Sequence, residues 1–115
     1  MLEAVQYLEK NVENRELFQQ LLLQLQKDFL MATQLEVFVQ VDTAAEMVNE
    51  LYRQLLRLVE TDVSKFSSLF YRIDISEVVV EELQLRGLDL EAYLQALTII
   101  ILKREWQKIC FRNKL

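Results

Sequence analysis

The stretch DLEAYLQALTIIILKREWQKICFR, residues 89–112, decides the fold. Leu90, Leu94, Leu97 and Ile101, then Leu102, Trp106 and Ile109, recur every three or four positions. That spacing puts side chains on one face of an α-helix. Asp89 stands just ahead of the run, where a short carboxylate accepts from free backbone N–H groups and starts a helix. Gly87 sits where the preceding helix needs a left-handed residue to end it. The run therefore predicts a helix from about 90 to about 112, the longest in the chain. Its pure apolar segment, Ile99–Leu102, falls far short of the roughly 20 residues a membrane span requires.

The same rhythm extends toward the N-terminus. Leu2, Val5, Leu8 and Val12 predict a short opening helix, ended or recapped at Asn11 or Asn14. From Arg15 to about Thr33, Phe18, Leu22, Leu25 and Phe29 form a stripe that Leu17, Leu21 and Leu30 widen, enough to touch more than one neighbour. Thr43 and Glu46 match a capping box, followed by Ala44, Val48, Leu51, Leu55 and Leu58 on the buried side, with Arg53 and Arg57 on the wet side. Thr61-Asp62 marks a break with a fresh cap before Val63, Phe66, Phe70 and Ile73. A further helix runs to Arg86, capped by Asp74 or Ser76. Residues 34–41 depart from the pattern: Leu35, Val37, Val39 and Val41 alternate with Glu36, Phe38 and Gln40. With no second strand to pair with, they read as an extended connector rather than a strand, unless one pairs across a dimer axis. The expected fold is all-α, a compact bundle of five or six helices in a single domain, 1–115.

Composition excludes as much as it predicts. One Gly and no Pro in 115 residues leave too few turn formers for sandwiches or barrels and no glycine loop to cradle phosphate. The absence of His removes the side chain that titrates near neutrality and the usual ligand of helical di-iron centres. A lone Cys110 forms no internal disulfide, and with no basic, apolar leader at the start the chain reads as cytoplasmic. No catalytic residue, cofactor site or metal-ligand set is predicted: Glu81 and Glu82, adjacent on a helix, point apart. Ser64, Ser67, Ser68 and Ser76 have no base, and Cys110 between Ile109 and Phe111 reads as a space-filling thiol.

The net charge of −5 is unevenly spread. Residues 103–115 carry Lys103, Arg104, Lys108, Arg112 and Lys114 against Glu105, a net of +4, leaving −9 on residues 1–102. An acidic body with a basic end predicts attraction of the end to the body or to a neighbouring copy. The acidic body argues against nucleic acid, and the wide apolar wrap of residues 97–106 argues against a helix lying on a membrane.

Two stretches interleave charges with core residues: Tyr71-Arg72-Ile73-Asp74-Ile75-Ser76-Glu77 and Ile101-Leu102-Lys103-Arg104-Glu105-Trp106-Gln107-Lys108. In contact, Arg72 and Arg104 would pair with Asp74, Glu77 or Glu105. Such a network either clips the corner after helix 62–73 to the last helix or forms an anion pocket with the two arginines as a fork. The segments LFYRIDISE, residues 69–77, and ILKREWQK, residues 101–108, resemble stretches of small all-helical bacterial proteins of unassigned function. That resemblance implies no activity, cofactor or partner.

The expectation is a non-enzymatic interaction protein that self-associates, most simply as a homodimer, through apolar helix faces and complementary acidic and basic surfaces. Phe18, Phe29, Phe38 and Trp106 are the candidate anchors, with Arg72 and Arg104 orienting them. The alternative is a small-molecule or anion-binding domain using Tyr71, Arg72 and Arg104. The candidate site is thus Tyr71, Arg72, Asp74, Glu77, Arg104, Glu105 and Trp106.

Overall fold

Local chemistry starts four of the six helices. In the structure, a computed structural model that describes residues 1–115, helix α1 spans Leu2–Asn11 and α2 spans Arg15–Thr33. Next come α3 at Ala44–Thr61, α4 at Val63–Ile73, α5 at Glu77–Leu85 and α6 at Leu90–Asn113. Asn14 caps α2 by accepting from the Leu17 N–H, Asp62 caps α4 at Lys65, and Asp89 caps α6 at Ala92. Thr43 and Glu46 complete both arms of the box ahead of α3. The all-α prediction is met, with six helices and the longest at the C-terminus. No helix is long and apolar enough to cross a membrane.

Twenty-five buried apolar residues form one cluster, so the helices share a core. Helix α2 lies against α4 and α6, α3 against α1, α4 and α6, and α1 also touches α6. The stripe Phe18, Leu22, Leu25 and Phe29 is buried, as are Val48, Leu51, Leu55 and Leu58. Helix α5 is the outlier. Its main neighbour is α6, and only Leu83 of its side chains is buried.

The connector from 34 to 43 contains no strand, and its side chains do not alternate. Val37, Phe38 and Val41 are buried while Val39 faces water. Phe38 takes a left-handed backbone with φ of 62°, an unusual state for a bulky residue and one that costs on the order of 1–3 kcal/mol. Its surroundings fix it there. The ring meets Phe29 edge-on at 5.3 Å, Gln26 donates to its carbonyl at 3.0 Å, and its N–H donates to Glu50 at 3.3 Å.

Other details differ from the sequence reading. Asp74 does not cap α5. It ends α4 in a left-handed conformation, and Ser76 takes the N-cap position without a side-chain bond. Val63, Leu2 and Leu30 are exposed, because each sits at an edge of its helix's apolar stripe where no neighbour covers it. Gly87, with φ of +65°, fills its left-handed role.

Candidate functional site

Two acidic residues occupy core positions. Asp28 follows Leu21 and Leu25 on the buried face of α2, and Glu105 sits between Ile101 and Ile109 on the buried face of α6. Both are shielded from water, Glu105 completely. A buried carboxylate must be hydrogen-bonded, paired or protonated, and the two acids divide these solutions between them.

Asp28 is ionised and saturated. Its Oδ1 accepts from Arg72 Nε at 3.1 Å, and its Oδ2 accepts from Lys108 Nζ and Gln24 Nε2, both at 3.0 Å. Burial pushes its pKa up. Hydrogen bonds from Glu105, Gln24 and Lys108, with the Lys108 charge, outweigh that push and hold it below the ordinary carboxylate range. Glu105 goes the other way. Burial, reinforced by the hydrogen bond to Asp28 and its negative charge, raises the Glu105 pKa from 4.5 to about 9. Lys108 Nζ lies 2.5 Å from Glu105 Oε1, without the angles of a hydrogen bond. At neutral pH Glu105 is therefore a carboxylic acid that donates its proton to Asp28, the pattern of two carboxyls that share a site.

The cluster surfaces beside Lys108 in an open groove of about 790 Å³ between α2 and α6. Helix α2 contributes Gln24 and Lys27; α6 contributes Arg104, Gln107, Lys108, Phe111 and Arg112. Four of these seven lining residues are cationic and none is acidic, on a molecule whose net charge is −5. Gln24 ties the groove to the cluster: its amide donates to Asp28, and its carbonyl accepts from Arg112 at 2.7 Å. Asn113 donates to Gln20 at 2.7 Å below it. The Phe111 ring is 89% exposed at the groove's edge.

The residues singled out by sequence are partly brought together. Arg104 donates to both the backbone carbonyl and the carboxylate of Asp74, at 3.0 and 3.2 Å, clipping the end of α4 to α6. Arg72 turns instead to Asp28, so the two arginines form no common fork. Glu105 pairs with neither arginine; Lys108 is its basic neighbour. Tyr71 points away, 90% exposed. Glu77 is exposed on α5, and its carboxylate lies beyond ion-pair distance of Arg72 and Arg104. Trp106, at 6% exposure, joins Phe18, Phe29 and Phe38 in the chain's own core, which removes all four as surface anchors. Sequence reasoning passed over Asp28, Gln24 and Lys27. A signal existed for the first: Asp28 falls at a position that the helical period of Leu21 and Leu25 assigns to the core.

No family model, no curated protein and no solved structure matches the chain, so its geometry carries the functional reading.

Proposed function

We propose that the protein is a non-enzymatic interaction protein whose groove between α2 and α6 binds an acidic partner. The observation that carries this reading is the lining: Lys27, Arg104, Lys108 and Arg112 converge with no acid among them. Lys108 and Arg104 are already paired with Asp28 and Asp74, which leaves Lys27 and Arg112 as the charges that an incoming anionic surface would compensate. Arginines offer forked donors to carboxylates, and the exposed Phe111 adds an apolar contact at the rim. The Asp28–Glu105 pair supports binding over catalysis. Both carboxyls are sealed behind Lys108 and Gln24, out of reach of a substrate, and they serve to hold Lys108 and Gln24 in place.

The test is fluorescence anisotropy with a short labelled oligoglutamate peptide. The wild-type protein should bind it with an affinity that falls as salt is raised. The double variant Lys27→Glu, Arg112→Glu should bind at least about tenfold more weakly, since rim charges are exchanged for repulsive ones. Unchanged affinity in that variant would refute the groove as the binding surface.

A further inference from the structure

Helix α5 carries the chemical complement of the groove. Val78, Glu81, Glu82 and Leu85 stand at positions i, i+3, i+4 and i+7, which share one face of a helix. That face looks outward: Val78 is 60% and Leu85 86% exposed. Glu81 and Glu82 are also exposed, and every ion pair of the chain is made by other residues. The stripe thus presents two carboxylates between two aliphatic side chains. The groove presents its cations beside an aromatic ring.

The two surfaces lie at different levels of α6. Leu83 of α5 lines the same hollow as Ala92, Ala96 and Ile100, whereas the groove takes its α6 residues from Arg104 to Arg112. Twelve residues, from Ala96 to Lys108, correspond to about 18 Å of helix. The outward stripe of α5 therefore does not meet its own groove. A second copy solves the separation. A two-fold axis that brings the α5 stripe of one copy onto the groove of the other makes the contact twice, in a closed pair.

We propose that the acidic partner of the groove is α5 of a second copy of this chain, seated reciprocally in a two-fold dimer. This rests on the groove reading above and names its occupant.

Sedimentation and light scattering of three proteins test it: wild type, the groove variant Lys27→Glu, Arg112→Glu, and the α5 variant Glu81→Lys, Glu82→Lys. All four positions are exposed, and circular dichroism checks that the helices persist. The wild type should be a dimer that dissociates as salt is raised. Each variant alone should be monomeric, because like charges then face each other at both contacts. An equimolar mixture should pair again, since one contact is native and the other has both charges exchanged. A monomeric wild type, variants that remain dimeric, a mixture that fails to pair, or open-ended polymers would overturn the proposal. The groove reading is scored separately: the α5 variant keeps the groove intact and should still bind oligoglutamate. Retained peptide binding with no salt-sensitive dimer in the wild type removes α5 as the occupant and leaves the groove standing.

Discussion

Glu105 sets how the molecule responds to pH. Folded, it loses its proton near pH 9 rather than near 4.5. Between those values the native state holds a proton that the unfolded chain has released, so this residue's contribution to stability falls as pH rises. Below 4.5 both states are protonated and the penalty vanishes. Glu105→Gln keeps the neutral donor to Asp28 and removes the titration. It should be more stable than wild type by on the order of 2–3 kcal/mol at pH 7 and equal to it near pH 4. Urea unfolding at the two pH values measures this, and equal stability at neutral pH would mean that Glu105 is ionised in the fold. Asp28 has the opposite sign. Its lowered pKa contributes stability above the ordinary aspartate range, lost on acidification. Asp28→Asn deprives Arg72 and Lys108 of their shared anion and should cost about 2–3 kcal/mol, less than a sealed ion pair because both cations reach water. It should also bring the Glu105 titration part of the way back toward its ordinary range, because burial remains, and so narrow the pH span of the loss.

Among the elements, those whose start signals are local were legible from sequence. Asn14, Thr43, Asp62 and Asp89 each bond a backbone group three residues ahead, and such contacts need no knowledge of the fold. Thr43→Ala, which removes one arm of a reciprocal pair, should destabilise the protein by about 1 kcal/mol in thermal or urea unfolding. The connector misled because its alternation of Val37, Val39 and Val41 reflects no sheet. The left-handed turn at Phe38 is imposed by Phe29, Gln26 and Glu50, partners nine to twelve residues away along the chain. The site divides in the same way. Arg104 with Asp74 was foreseen, whereas Arg72 with Asp28 was not, because that pair spans 44 positions and exists only once α2 lies on α4. Helix α5, held by Leu83 alone, should open first. In dilute, unpaired protein its amides should exchange with solvent well before those of residues 94–106. Equal protection in hydrogen-exchange measurements would show that α5 is anchored as firmly as the core.

At the scale of the whole molecule, the charge asymmetry visible in the sequence acquires a location. The basic C-terminal end does not fold back as a loose tail. It is the last half of α6, held to α2 through Lys108–Asp28, Arg112–Gln24 and Asn113–Gln20; Arg104 also lines the groove, while Lys103 lies over the Tyr7 ring. The anticipated aromatic anchors were legible as apolar but not as surface. Twenty-five residues from all six helices and the connector pack into one core of a body 36 × 28 × 23 Å, which consumes Phe18, Phe29, Phe38 and Trp106. What stays outside includes Phe111 beside the cations, and Val78 and Leu85 beside the acids. The central claim is that the cationic groove is the binding surface, and a two-dimensional amide NMR titration with an oligoglutamate peptide tests it most directly. The account predicts shifts concentrated at residues 20–27 and 104–113, joined by residues 77–85 as the peptide displaces a second copy's α5, with α3 and the connector unmoved. Shifts centred on α1 and α3, or none at all with the peptide in excess, would contradict it.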